Sequence, residues 1–222
     1  MNWLWLNSGS CAPAFNMAMD DALLEAMTRL QLPVLRFYGW TEPAATFGYF
    51  QKFAEVERST LLRPLIRRPT GGGIVPHDAD WTYSLTFPAG HEWHGLRAEK
   101  SYRRAHEWLH FTFAQLNVKT ELASCCQESA PGQCFVGHEK SDLLWQGRKI
   151  AGAAQRRTHG GLLIQGSVQP PPVGLRRAEW EQAMRDVAGA GWRGFSPDAA
   201  LRARVDMLVA QKYSQTTFLE KR

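Results

Sequence analysis

Residues 143–157 read Leu-Leu-Trp-Gln-Gly-Arg-Lys-Ile-Ala-Gly-Ala-Ala-Gln-Arg-Arg, and this stretch predicts a β-hairpin that carries a lysine. Two apolar-rich runs, at residues 143–145 and 148–150, are separated by the pair Gln146-Gly147. A glycine in a two-residue connection permits the positive φ angle that hairpin turns need. The pattern therefore places Lys149 on a strand, just after the turn.

Small residues follow the lysine on the same predicted strand. Residues 151–154 are Ala-Gly-Ala-Ala, and they leave room for a ligand or another backbone to approach closely. A lysine beside such small residues can place its positive charge next to the carbonyl group of a ligand. Gly152 and Gln155 are expected to shape the pocket rather than react. The alternative for an isolated Gly-Arg-Lys sequence is an exposed, charged strand edge.

A glycine-rich stretch is the second unusual feature. Residues 67–78 read Arg-Arg-Pro-Thr-Gly-Gly-Gly-Ile-Val-Pro-His-Asp. Three consecutive glycines after two arginines predict a loop whose backbone N–H groups surround an anion or a carbonyl oxygen. Arg67 and Arg68 are either ordinary surface charges or contacts to a phosphate, and the adjacent glycines favour the phosphate. The spacing matches neither the P-loop nor the dinucleotide-binding pattern.

Length and composition indicate a globular protein. The 222 residues suit one large domain, or one domain with a small appendage, and 44% of them are hydrophobic against 21% charged. No apolar run approaches the roughly 20 residues that a membrane span requires. The first residues lack a basic segment followed by a long apolar one, so no signal peptide is predicted and we expect a cytoplasmic protein.

The charge balance bears on the partner. A net charge of +5 favours an acidic partner, because opposite fields speed encounter. Nucleic acid and an acidic carrier protein are both such partners. The lysines and arginines are spread along the chain without a dense tract, which argues against nucleic acid. An ordinary solvated basic surface explains the charge equally well.

The cysteine and histidine patterns do not predict a metal site. The chain has four irregularly spaced cysteines without a CxxC pair: Cys11, Cys125, Cys126 and Cys134. This spacing suggests neither a zinc knuckle nor a disulfide framework, and the pair at 125 and 126 is interpreted as incidental. His106 and His110 lie four residues apart, but they lack an HExxH pattern or a carboxylate ligand. We therefore expect no bound metal.

Helical and strand patterns account for most of the remaining chain. Asn16 is placed to cap a helix with one apolar face, and a second amphipathic helix is predicted over residues 97–116. Strands are predicted at residues 34–38, 81–87 and 162–168. The mixture predicts a sheet with helices against it.

Three prolines at residues 170–172 mark a boundary, because proline continues neither a helix nor a sheet ladder. Beyond them, apolar spacing predicts two helices, one around Trp180 and one around Leu201. We expect residues 169–222 to form a helical C-terminal segment packed on the domain formed by residues 1–168.

Taken together, these segments resemble the superfamily of lipoate ligases, octanoyltransferases and biotin ligases, and most closely its lipoyl branch. The motifs that carry the resemblance occur in the family's order, and they are residues 16–20 (Asn-Met-Ala-Met-Asp), 47–51 (Phe-Gly-Tyr-Phe-Gln), 67–78 and 147–157. It covers residues 3–168. The resemblance implies an α+β fold with a mixed or antiparallel β-sheet core flanked by helices, as in the catalytic domain of biotin and lipoate ligases.

The lipoyl branch implies one of two reactions. Transferases move an octanoyl or lipoyl group from a carrier-protein thioester to a lysine of a lipoyl-domain protein, and they require no cofactor. Ligases activate the free acid with ATP and magnesium, in some cases with a separate accessory subunit. Cys134 precedes Lys149 by 15 positions, a spacing that resembles the Cys-dependent octanoyltransferases. The implied partners are an acyl carrier protein and an acceptor such as the glycine cleavage H protein or an E2 subunit.

The resemblance also implies roles for individual residues. Cys134 is the predicted nucleophile, since a thiolate attacks a thioester and forms another thioester of similar energy. Lys149 has two expected roles: lowering the pKa of that thiol, and holding the acyl carbonyl as charge develops on its oxygen. His77 either orients the substrate or acts as a base. The predicted substrate-binding residues are Arg67, Arg68, Thr70, Gly71, Gly72, Gly73, His77, Gly152 and Gln155.

Two departures from the family pattern keep alternatives open. Residues 141–143 are Ser-Asp-Leu where ligases have Asn-Asp-Leu, which weakens a magnesium and nucleotide interpretation. Residues 136–140 follow Cys134-Phe135 where the Cys-dependent transferases continue with small residues such as Pro-Ser. The alternatives are a plain loop cysteine at 134, an ATP-dependent ligase, and a non-catalytic module that holds an acylated carrier or binds nucleic acid.

Overall fold

The computed structural model describes residues 2–127, 132, 135 and 137–221. Its strands are β1 (Asn2–Cys11), β2 (Val34–Trp40), β3 (Ala44–Phe47), β4 (Leu65–Arg67), β5 (Val75–His77), β6 (Trp81–Pro88), β7 (Thr120–Leu122), β8 (Leu143–Trp145), β9 (Arg148–Arg157), β10 (Gly161–Val168) and β11 (Gly191–Gly194). Its helices are α1 (Pro13–Leu30), α2 (Phe53–Ser59), α3 (Glu92–Gly95), α4 (Ala98–Gln115), α5 (Arg177–Val187), α6 (Ala199–Leu208) and α7 (Thr216–Leu219), with a π-helical turn at Val209–Tyr213.

A mixed sheet forms the centre of the fold. Its strand order is β11-β1-β2-β6-β10-β9-β8-β7. Strand β1 pairs in parallel with β11 and β2, and the other neighbours pair antiparallel. Helices lie against it, so the predicted α+β fold with a mixed sheet is confirmed.

The hairpin predicted at residues 143–157 is present as β8 and β9. Its two turn residues, Gln146 and Gly147, both have positive φ angles, of 52° and 73°. Two consecutive positive φ values are typical of the type I′ turn, whose twist matches that of the flanking strands. Lys149 therefore lies on β9, as predicted, and pairs with Leu144 of β8.

Alternation along the strands produces a core on each face of the sheet. In β2, Leu35 and Phe37 pack in the cluster that contains α4 and α5, while Val34 and Tyr38 pack in the cluster that contains α1 and α6. Successive strand side chains point to opposite faces, which explains this division. The helix predicted over residues 97–116 is confirmed as α4.

Two local expectations differ from the structure. Asn16 does not cap α1, because the helix begins earlier, at Pro13, whose fixed φ angle suits the first helical turn. The buried Asn16 amide instead donates to the Gly39 carbonyl at 2.8 Å, and its oxygen accepts from Arg36 at 2.7 Å. The C-terminal segment is also not wholly helical, since β11 extends the sheet beside β1. A four-residue Gly-Trp-Arg-Gly strand is too short to show a period in the sequence.

A small second sheet carries the glycine loop. Its order is β4-β3-β5, with β3 parallel to β4 and antiparallel to β5. The loop of residues 68–74 connects β4 to β5 and is therefore fixed at both ends by neighbouring strands. In the part of the chain covered by the structure, no helix is both long and apolar enough to span a bilayer.

Candidate active site

A cavity of about 920 Å³ lies where the glycine loop meets the main sheet. Its lining comes from α1, β2, β6, β9 and β10, from β3, β5 and the glycine loop of the small sheet, from the start of α4 and from the segment between β7 and β8. These elements are distant in sequence, and the pairing of β9 with β10 brings two of them side by side. The cavity is large enough for a small-molecule substrate.

Most of the predicted site residues line this cavity, and they are Arg68, Gly72, Gly73, His77, Lys149, Gly152 and Gln155. The predicted residues Arg67, Thr70 and Gly71 are not part of its lining. The Thr70 hydroxyl is buried and donates to the Gln165 side chain at 2.8 Å, so it joins the loop to β10. Its contact is structural.

The predicted nucleophile, Cys134, lies outside the described residues. The described residues nearest to it in sequence, Gly132 and Phe135, both line the cavity. The Lys149 ammonium lies 5.0 Å from the centre of the Phe135 ring, a distance at which a cation and an aromatic face attract. Cys126, interpreted as incidental from the sequence, also lines the cavity.

Lys149 is held by a buried carboxylate. Its Nζ lies 2.7 Å from Asp142 Oδ2, and the two side chains are 7% and 0% exposed. The Asp142 oxygens also accept from the Tyr102 hydroxyl and from the Glu139 backbone N–H. A Cβ atom at Gly152 would lie only 2.8 Å from Lys149 Cε and 3.0 Å from Nζ. The glycine therefore leaves the space that the lysine occupies.

His106 lies behind this ion pair. Its Nε2 is 4.0 Å from Asp142 Oδ1, and its Nδ1 donates to the Tyr102 carbonyl at 3.1 Å. Burial lowers the pKa of His106 to about 4, although Asp142 acts in the opposite direction. The imidazole is therefore neutral at physiological pH.

The glycine loop is shaped by hydrogen bonds and by close packing. The Arg68 guanidinium donates to the carbonyls of Gly71 and Gly73, which curls the loop around the arginine. A Cβ atom on Gly48 would lie 1.9 Å from the Gly72 carbonyl oxygen. Only glycine fits at position 48 without displacing the loop.

His77 is fixed from three sides. Its Nδ1 lies 2.8 Å from Asp80 Oδ2, its Nε2 lies 2.9 Å from Thr46 Oγ1, and its ring stacks on Trp40 with centroids 3.9 Å apart. The adjacent acidic residue in sequence, Asp78, is exposed. Residues 78–80 connect β5 to β6, and this connection brings Asp80 rather than Asp78 back to the buried imidazole.

Asp80 is an ionised buried carboxylate. Burial acts to raise its pKa, but the charge of His77 and hydrogen bonds from His77, Ser167 and Thr82 outweigh burial and lower it. Thr82 and Ser167 each line the cavity and donate to Asp80 Oδ2. This cluster makes the wall beside His77 polar and rigid.

Arg67 has a different environment from the one expected. It is 1% exposed, and its guanidinium donates to the carbonyls of Tyr49, Gln51, Phe218 and Leu219. The guanidinium therefore points to these backbone carbonyls and not to a phosphate site in the cavity. Arg67 instead joins the end of β4 to the C-terminal helix α7.

We expect Arg67→Ala to lower the free energy of unfolding by about 3 kcal/mol, because several buried carbonyls lose a charged donor. For a chain of this size the melting temperature should fall by about 6–12 °C. Circular dichroism melts check the value, with the exposed Arg202→Ala as the matched control. Loss of activity at an unchanged melting temperature would favour the phosphate contact instead.

Comparison with known proteins finds a matching family model and several relatives. A family model described as the lipoyl protein ligase A/B catalytic domain matches residues 12–169. The octanoyltransferase LipM of Anoxybacillus flavithermus is 35% identical over 179 residues, which cover 75% of this chain and 64% of that protein. The LipM of Bacillus subtilis is 34% identical over 181 residues with the same coverage. The chain thus spans slightly less than two thirds of the length of these relatives.

Solved structures agree on the fold. A T. acidophilum protein with bound lipoic acid superposes with a TM-score of 0.81 at 19% identity, over 100% of both chains. Lipoate-protein ligase A bound with ATP superposes with a TM-score of 0.80 at 19% identity, over 99% of both chains. At such low identity the likeness concerns the fold alone.

Proposed function

Because the chain belongs to the lipoyl protein ligase A/B catalytic domain family, we propose that it is an octanoyl- or lipoyltransferase that works through an acyl thioester on Cys134. The donor is a carrier-protein thioester, and the acceptor is a lysine of a lipoyl-domain protein such as the glycine cleavage H protein or an E2 subunit. The transferase needs no cofactor, because the donor thioester already carries the energy of the bond.

One observation carries the proposal: a buried lysine that lines the cavity lies against the residue that follows the candidate nucleophile. Lys149 is 7% exposed and contacts Phe135, the chain neighbour of Cys134. An ammonium in a site shielded from water stabilises negative charge on a carbonyl oxygen far better than it does in solution. The curated relatives named octanoyltransferase support the same reaction class.

The proposed reaction has two steps. The Cys134 thiolate attacks the carbonyl carbon of the donor thioester, the bond from that carbon to the carrier sulfur breaks, and the carrier thiolate takes up the proton that the Cys134 thiol released. The neutral acceptor lysine amine then attacks the acyl-enzyme, the bond from the acyl carbon to the Cys134 sulfur breaks, and the proton that the amine loses returns Cys134 to the thiol as the amide forms. Lys149 donates a hydrogen bond to the acyl oxygen in both steps, while the glycine loop supplies backbone N–H groups beside it.

The test is the intact mass of the enzyme after incubation with octanoyl carrier protein. We expect a single octanoyl adduct that is absent from Cys134→Ala and is lost when a lipoyl domain is added. An adduct that persists in Cys134→Ala, or no adduct at all, contradicts the proposed intermediate. Cys125→Ala is the matched control, since this exposed cysteine does not line the cavity.

The ATP-dependent lipoate ligase is the alternative in the same family, with or without an accessory subunit. It requires ATP and magnesium and predicts pyrophosphate release that is indifferent to Cys134→Ala. The carboxylate that the ligase motif would offer to magnesium is that of Asp142, and it is bonded instead to Lys149, Tyr102 and a backbone N–H. A carboxylate whose two oxygens already accept from these three groups does not fit the role of a magnesium ligand. This environment of Asp142 favours the transferase.

A further inference from the structure

We propose that Asp142 is a positioning residue for the transfer reaction, fixing the Lys149 ammonium over Gly152, and that Tyr102 orients the Asp142 carboxylate. The proposal rests on the proposed function and extends it, since neither Asp142 nor Tyr102 touches the reacting atoms in the two steps above. Each acts through the lysine.

The Asp142 carboxylate is fixed by groups from three separate elements. Tyr102 of α4 donates to Oδ1, whereas Lys149 of β9 and the Glu139 backbone N–H reach Oδ2, the latter two at 2.7 Å. The side chain is 0% exposed, so water does not compete for these bonds. A carboxylate held at both oxygens directs the ammonium to one place.

The lysine side of the pair is equally constrained. The end of its aliphatic stem packs closely on Gly152 of the same strand, where a Cβ atom would lie 2.8 Å from Lys149 Cε. Gly152 pairs with Ser167 of β10, and both residues line the cavity. An ammonium has three N–H donors, and the bond to Asp142 fixes the directions of the other two. The carboxylate therefore sets the directions in which the ammonium can donate.

The charge balance decides between the two roles expected for Lys149. The carboxylate 2.7 Å from the ammonium offsets its field at longer range, because equal and opposite charges so close act as a dipole. Among the described residues, two other titratable side chains face Asp142: the Tyr102 hydroxyl donates to it, and His106 is neutral, so neither adds a positive charge. Lys149 consequently acts by a short hydrogen bond to the acyl oxygen rather than as an unbalanced charge beside the thiol.

The kinetic test is a double-mutant cycle on enzyme acylation. Single-turnover transfer from octanoyl carrier protein is measured for Asp142→Asn, Tyr102→Phe and Lys149→Met, and for the first two in the Lys149→Met background. We expect Asp142→Asn to lower the maximal acylation rate about 10²-fold and Tyr102→Phe about tenfold, with the half-saturating carrier concentration nearly unchanged. In the Lys149→Met background neither substitution should lower the rate further. The exposed Asp206→Asn is the matched control.

An equal loss of rate with and without Lys149 would overturn the proposal, because it would show that Asp142 acts independently. If Asp142→Asn fails to fold, the rates of Tyr102→Phe with and without Lys149 test the proposal instead. This variant retains the ion pair and removes one hydrogen bond to Asp142. Full activity of Tyr102→Phe would overturn the orienting role.

A second readout does not need the reaction. We expect Asp142→Asn and Lys149→Met each to lower the melting temperature, and the double substitution to lower it no further than either alone, because it removes both buried charges. Additive losses would overturn the pairing. If no octanoyl adduct forms in the wild type, the proposed function fails, and this thermal cycle still tests the coupling of the two residues.

Discussion

Replacing Lys149 with methionine is expected to slow octanoyl transfer about 10³-fold, the loss typical when a donor to a developing oxyanion is removed. Methionine has a similar length and no charge, so it keeps the contact with Gly152 and removes the hydrogen bond. The rate of octanoyl-enzyme formation, followed by intact mass in single-turnover mixtures, is the measurement.

Stability must be separated from chemistry in this experiment. Lys149→Met leaves the buried Asp142 carboxylate without its cation, at a cost of about 3–5 kcal/mol in the free energy of unfolding. The double variant Lys149→Met with Asp142→Asn should recover much of this stability and none of the activity. Lys119→Met, at an exposed lysine, is the matched control. Recovery of activity in the double variant would show that Lys149 serves only the fold.

The second large effect is expected from Gly48→Ala, which should reduce transfer at least about 10²-fold by displacing the glycine loop. A Cβ atom at this position would lie 1.9 Å from the Gly72 carbonyl oxygen and 2.9 Å from its carbon. Both are backbone atoms, so no side-chain rotation relieves the overlap. Such overpacking costs about 1–3 kcal/mol, and transfer assays together with thermal melts measure the two consequences.

A neighbouring glycine provides the comparison for this prediction. A Cβ atom on Gly71 would meet no atom within 4 Å, so Gly71→Ala should leave the melting temperature unchanged. The pair of variants therefore separates the loss of a glycine from the overlap that its replacement creates. An unchanged melting temperature and full transfer activity in Gly48→Ala would show that the loop moves without consequence.

Several features of the site were predictable because their signals are local. The hairpin follows from two turn residues between apolar runs, and the position of Lys149 on β9 follows from the hairpin. The glycine loop was predictable from three consecutive glycines in the sequence. The order of the motifs predicted the lipoyl branch, which the family comparison confirms. The roles of Cys134 and Lys149 stay predictions.

The partners of the buried charged groups were not predictable in the same way. Asp78 is adjacent to His77 in sequence, but the carboxylate that contacts the imidazole is that of Asp80, which the connection between β5 and β6 places there. Arg67 was expected to contact a phosphate, but its guanidinium donates to the carbonyls of residues about 150 positions away in the sequence. Tyr102 had the spacing of an ordinary core residue on α4, and nothing local indicated its bond to Asp142.

The sequence by itself determined the family, the α+β fold and the strand that carries Lys149, because periodicity, turn residues and short motifs are properties of neighbouring residues. The tertiary structure alone decided which carboxylate holds that lysine, which side chains close the cavity and which arginine supports the C-terminal helix. Those choices depend on where separate elements bring their side chains together, and a buried charge takes whichever partner the packing places within reach.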